Sequence, residues 1–176
     1  MFHTDRMHQP RRLARSFARS RWVVLADRDF DAVIDACAAP REAHGGTWIV
    51  PEMREAYRAL HRAGHAHSIE VFDGDQRVGG LYGVAQGRMF FAESMYSARS
   101  GGSKAALLGL ARRLREWNWP LIDAQVPNPH LFTLGAQQMP RADFLAAVAR
   151  LVATAEPAGS WEARFGALPV AALTGP

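Results

Sequence analysis

The chain has 176 residues, 48% hydrophobic and 22% charged, values of a globular protein long enough for one domain with a sizeable core. A single cysteine, Cys37, excludes an internal disulfide and fits a reducing compartment. No apolar run approaches the ~18 residues needed to span a bilayer, and "MFHTDRMHQPRR" lacks the apolar stretch of a signal peptide, so a cytoplasmic location away from membranes is expected.

The net charge of +4 is unevenly spread. Residues 1–21 hold six arginines against Asp5 alone, a local +5, so the remainder carries −1. Arg11, Arg15 and Arg19 stand four apart and share one stripe if the segment is helical, with Arg12 beside them. Such a patch suits phosphate binding; a solvated chain end explains it as simply. Residues 1–20 are therefore set apart as a basic helix or arm, ahead of a single domain over 21–176.

"RWVVLA" (21–26) reads as a strand and "DRDFDAVIDACA" (27–38) as a helix, with apolar positions at 30, 33, 34 and 37. "PREAHGG" (40–46) reads as a loop. "PEMREAYRALHRAG" (51–64) has proline and glycine at the two ends of a helix. "HSIEVF" (67–72), "RVGGLYGVA" (77–85) and "RMFFAESMYS" (88–97) are strands joined by short polar turns, which predicts an antiparallel meander. "SARSGG" leads into a helix at 103–117 with Ser103 as its expected N-cap. "PLIDAQV" (120–126) is the next strand, and "PRADFLAAVARLVATA" (140–155) a helix. The tail "WEARFGALPVAAL" is expected to end in an irregular strand.

This order predicts an α+β fold, a mixed but mostly antiparallel sheet flanked by helices. Strands 88–97 and 120–126 should lie parallel, with helix 103–117 crossing between them. That is the layout of GNAT acyltransferases, in which the two strands splay and the reaction runs between them.

Three features carry candidate chemistry. Asp123 and Gln125 interrupt an apolar strand two residues apart, so an extended chain places both on one face. Buried polar groups are costly unless paired or used. Glu93 shares a face with Met89 and Phe91, opposite Phe90, Ala92 and Ser94, and faces the same cleft if the strands are neighbours. Two carboxylates there either bind a cation, tune each other's proton affinity, or tie the strands together. The glycine-rich turn "ARSGGSKA" (98–105) is either an anion site or an ordinary capped turn; Lys104, the chain's one lysine, lies in it. His61, His65 and His67 lack acidic or cysteine partners at ligand spacing, so no metal site is expected.

Several stretches together resemble the leucyl/phenylalanyl-tRNA–protein transferase family. They are "GTWI" (46–49), "AYRALHRAGHAHSIEV" (56–71), "GGLYGVAQGRMFFAESMYS" (79–97), "SKAALLGLA" (103–111), "LIDAQVPNPHLFTLGA" (121–136) and "MPRADFL" (139–145). The resemblance spans roughly residues 5–150 and begins after the family's small N-terminal domain. It implies a GNAT-like core that transfers an apolar amino acid (Leu, Phe or Met) from charged tRNA to the α-amine of a protein or peptide beginning with Arg or Lys. Aminoacyl-tRNA is then the co-substrate, with no cofactor or metal, in a monomer. By resemblance Asp123 and Gln125 are catalytic, the aspartate holding the glutamine, and Glu93 is the acidic residue of the acceptor site. Substrate contacts fall to Trp48, Leu81, Tyr82, Ser94, Leu110, Leu114, Ile122, Asn128, Leu134 and Gly135. Contacts to tRNA fall to Arg11, Arg12, Arg15, Arg19 and Lys104. Leu110 and Leu114 replace residues often aromatic in the family, and Leu81 a common methionine. The same chemistry on a small-molecule amine and a non-catalytic tRNA- or peptide-binding remnant are the alternatives.

Overall fold

In a computed structural model that describes residues 1–42 and 46–174, the chain runs β1 (Phe2–His3), α1 (Arg11–Ala18), β2 (Val23–Ala26), α2 (Phe30–Glu42) and α3 (Pro51–Arg62). The meander follows as β3 (Ala66–Asp73), β4 (Gln76–Gln86) and β5 (Met89–Ser97). Then come α4 (Gly102–Glu116), β6 (Leu121–Asp123), α5 (Pro129–Phe132), α6 (Arg141–Val152), α7 (Glu162–Phe165) and β7 (Leu168–Pro169), closing in a 3-10 turn at Val170–Thr174. Of the loop expected at 40–46, residues 43–45 lie outside the described residues, and α2 extends through Glu42.

The strands form one seven-stranded sheet in the order β1-β6-β5-β4-β3-β2-β7. All pairs are antiparallel except β5 with β6, which are parallel. The expected α+β class, meander and β5–α4–β6 crossover are thus present. The two-residue strands β1 and β7 cap the edges, too short to show a period. Through β1 and the buried Phe17 of α1, residues 1–20 join the main sheet and core.

One sheet face carries α4. Its Ala105, Ala106, Leu107, Leu110, Ala111 and Leu114 pack with Val24, Ile69, Phe90 and Ile122. The opposite face holds a second cluster under α2 and α3, built on Phe30, Ile34, Tyr57 and Tyr82. A third joins Met89, Leu121 and Leu151, with Phe144 of α6 against it. The α4 N-cap is Gly101, left-handed at φ +93°, and not Ser103. Ser103 donates its backbone N–H to Ser97 Oγ at 2.9 Å, so the preceding strand supplies the cap. Helix and sheet meet so closely here that a Cβ on Gly79 would stand 2.6 Å from Gly102 Cα.

A buried polar knot fixes the far side of the sheet. Asp27 accepts from the backbone of Ser68 and Trp161 at 3.0 and 2.7 Å and bonds His67 Nδ1 at 2.9 Å. His67 stacks on Trp161 at 3.8 Å. His61 lies 2.8 Å from the Ala66 carbonyl and stacks on Phe30, whereas His65 is exposed. Among the described residues no group of three or more His, Cys, Asp or Glu is placed to hold a metal ion. Nor is any helix among them long and apolar enough to cross a membrane.

Candidate active site

Strands β5 and β6 share only three residue pairs, Met89–Leu121, Phe90–Ile122 and Phe91–Asp123. Beyond Phe91 and Asp123 the two chains part. Into the gap opens a cavity of about 760 Å³, lined by Ala92–Met95 of β5 and by Ala124, Gln125, Val126 and Asn128. Phe2, Trp48, Leu81, Met95 and Leu107 make its apolar wall; Glu93, Gln125, Asn128 and His130 are polar groups on it.

Two backbone irregularities aim the polar side chains. Tyr82 pairs with Ser94 but Gly83 pairs with Ala92, so Glu93 is the extra residue of a β-bulge. The bulge reverses alternation along β5. Ser94, expected on the face of Phe90 and Ala92, instead lies opposite Tyr82 on the other face. Glu93 is turned toward the cavity, where its carboxylate accepts a hydrogen bond from the Tyr57 hydroxyl.

The second irregularity is at Gln125. The strand ends at Asp123, and Gln125 is left-handed at φ +61°, so the two do not simply share one face of an extended chain. Asp123 Oδ1 accepts from the Gln125 backbone N–H at 3.0 Å, closing an Asx-type turn. The Gln125 side chain is thereby free to reach across the gap, where Nε2 donates to Glu93 Oε1 at 3.3 Å. Asp123 therefore holds Gln125 through its main chain, and Gln125 in turn touches Glu93.

Burial pushes the Glu93 carboxyl above its usual range, and the neighbouring Asp123 charge pushes the same way; the Tyr57 hydrogen bond offsets part of this. Burial and the negative Glu93 push Tyr57 upward as well, so it stays a neutral donor. The site thus joins two carboxylates, an amide and a phenol at the edge of an apolar cavity.

Several expected contacts fall elsewhere. Leu110 and Leu114 are wholly buried between α4 and the sheet and do not line the cavity. Ile122 and Leu134 belong to the same core. Tyr82 is buried on the opposite face against Phe30 and Tyr57. Gly135, at φ +94°, turns the chain against Arg6 and His8. Trp48, Leu81, Ser94, Asn128, Glu93 and Gln125 do line it. Arg11, Arg12, Arg15 and Arg19 are all exposed along or just after α1, and Lys104 sits half-buried in the first turn of α4. The glycine-rich turn before α4 spends its donors internally: Ala98 and Arg99 give their N–H groups to Val78 O at 3.1 and 2.9 Å, and the Arg99 guanidinium pairs with Asp73 at 2.6 Å.

Tyr57, Phe2, Met95 and Leu107 were not singled out in the sequence. Tyr57 had a signal: with Met53 it forms an i, i+4 apolar pair on the inner face of a helix otherwise rich in charge. Trp48, 45% exposed, stands edge-on to Tyr57 at 6.3 Å.

A splayed pair of parallel strands, a carboxylate–amide cluster at the fork and an apolar cavity beside it make this the candidate site for the chain's chemistry. The leucyl/phenylalanyl-tRNA protein transferase family model matches residues 1–149, and the chain belongs to that family. A leucyl/phenylalanyl-tRNA–protein transferase of Xanthomonas euvesicatoria is 61% identical over 94% of this chain and 67% of its own length. One from Xylella fastidiosa is 55% identical over 94% of this chain and 69% of its own length. Among solved structures, AAC(6')-Iy in complex with the bisubstrate analogue CoA-S-monomethyl-acetylneamine is 10% identical with a TM-score of 0.43, covering 78% of this chain and 92% of its own.

Proposed function

We propose that this chain moves an apolar amino acid from charged tRNA to the α-amine of a protein N-terminus, preferring acceptors that begin with Arg or Lys. Family membership supports the reaction class. The observation that carries the residue-level reading is the contact between Gln125 and Glu93 at the fork of β5 and β6.

In this reading the apolar wall takes the amino-acid side chain. The acceptor amine nitrogen attacks the ester carbonyl carbon beside Gln125. The C–O bond to the terminal ribose breaks, the nitrogen loses a proton and the ribose oxygen gains one. An ester is already activated, so proximity and a neutral amine are the main requirements. Asp123 offsets positive charge on the amine and fixes the turn that presents Gln125. Glu93 receives the basic acceptor side chain. The exposed arginines of α1 hold tRNA phosphates, with Lys104 beside them. The step calls for neither metal nor bound cofactor. The enzyme works as a monomer in the cytoplasm, where charged tRNA is found.

The test is transfer of radiolabelled Leu, Phe or Met from tRNA to peptides that begin with Arg, Lys or Ala. Labelling of the Arg and Lys peptides alone is expected. Equal labelling of the Ala peptide, or none of any, overturns the reading.

A further inference from the structure

The proposed transfer moves a proton that needs a carrier. The attacking nitrogen must shed one, and the ribose oxygen must gain one as its bond to carbon breaks. Burial and Glu93 push Tyr57 upward, so it stays a neutral donor. Glu93 is engaged by Tyr57 and Gln125 and is reserved for the acceptor's cation. Asp123 is tied to the Gln125 N–H and does not line the cavity. Gln125, Asn128, Ser94 and Ser103 carry amides and hydroxyls, which do not take up or release a proton near neutral pH.

His130 remains. It lies on the wall of the same cavity as Glu93 and Gln125. Histidine is the side chain that both takes and gives a proton near neutral pH. The main chain of His130 is fixed from several sides. Pro129 opens the short helix α5 ahead of it, Asn128 Oδ1 accepts its N–H at 2.8 Å, and Thr133 Oγ1 donates to its carbonyl at 2.7 Å. The ring, in contrast, is exposed and makes no hydrogen bond or ion pair among the described residues. His67 shows the opposite pattern: its ring is buried, stacked on Trp161 and bonded to Asp27. A fixed main chain that presents an unengaged imidazole to a reaction cavity suits a proton carrier. We propose that His130 is a further catalytic residue. Its ring takes the proton from the nitrogen once the N–C bond has formed, and gives it to the ribose oxygen as the C–O bond breaks. The ring ends as it began, and no further reactant is consumed. The proposal rests on the transfer reading above.

The experiment compares the full chain with its His130→Ala variant. It measures single-turnover transfer from Leu-tRNA to a peptide that begins with Arg, together with tRNA affinity and melting temperature. The variant should lose ~10²–10⁴ in rate, the range of proton-transfer catalysis. Its melting temperature and tRNA affinity should hold, because the ring is exposed and bonds nothing that the fold needs. Added imidazole reaches the vacated place from solvent and should restore the variant's rate by about tenfold or more, leaving the parent unchanged. A merely structural role would give no such rescue. A variant rate within about threefold of the parent's, a loss matched by lost tRNA affinity, or a loss that imidazole leaves unmoved overturns the proposal while leaving transfer intact. Failure of the parent chain to label the peptide overturns the transfer reading, and this proposal with it.

Discussion

The Gln125 side-chain amide spans the fork of β5 and β6 and donates to Glu93 Oε1 at 3.3 Å. It does so because Asp123 has already taken the Gln125 backbone N–H, at 3.0 Å. Three polar side chains from two strands are therefore linked in series, and substitutions that separate the links have distinct expected outcomes.

Asp123→Asn keeps an oxygen for the Gln125 N–H but removes the charge. Its melting temperature should stay within a few degrees of the parent, while single-turnover transfer falls by ~10²–10⁴, the range of general-base assistance. Asp123→Ala removes the acceptor also, and should add a stability loss of about 1 kcal/mol. Full activity in a stable Asp123→Asn protein would leave the assignment without support.

Tyr57→Phe removes a hydrogen bond that holds the Glu93 carboxyl down against burial and Asp123. The Glu93 pKa should rise further. Since a basic acceptor needs Glu93 ionised, the acid limb of kcat/KM against pH should move to higher pH. An unshifted limb with unchanged rate would separate Tyr57 from the site.

Glu70 offers a stability test remote from the cavity. It is fully buried, accepts from Ser68 Oγ at 2.7 Å and from the Asp29 N–H at 3.1 Å, and burial raises its pKa. A raised folded pKa means the folded chain holds a proton that the unfolded chain has released. The contribution is full below the unfolded pKa and is lost as pH rises through the folded value, at up to ~1.4 kcal/mol per pH unit. Glu70→Gln should flatten that part of the pH–stability curve, which urea denaturation at several pH values would show.

Leu110→Ala and Leu114→Ala should each cost ~2–5 kcal/mol, as buried leucines do, without changing preference among Leu, Phe and Met donors. Met95→Ala, on the cavity wall, should change that preference, since a methylene or two there discriminates by ~1–3 kcal/mol. A donor preference moved by Leu114 and not by Met95 would put the pocket elsewhere.

Replacing Arg11 and Arg15 by alanine should lower the slope of log tRNA affinity against log salt by about one per lost phosphate contact. Both are exposed, so the fold should hold. An unchanged slope returns the stripe to the solvent.

The meander and the crossover were legible because alternation and short polar turns mark strands locally. Glu93 and Asp123 could be noticed as acids in apolar strands, and their meeting followed from the crossover. What stayed hidden depended on partners. No glycine or proline inside β5 marks the bulge; only its register against β4 does. Gln125 gives no hint of a left-handed backbone, which glutamine seldom adopts. Leu110 and Leu114 obey the helical period, but the period alone cannot say whether a stripe meets the sheet or the cavity.

The bulge at Glu93 also bears on how this segment tolerates change in length. Removing that one residue would delete a carboxylate and, in the same stroke, restore strict alternation to β5. Ser94 would then follow Ala92 directly and still lie opposite Tyr82, and Met95 and Tyr96 would keep the sides they have now. A gap of a single codon at 93 would thus remove the acid and leave the end of the strand the right way round, whereas the loss of one paired residue elsewhere in β5 would turn everything beyond it over.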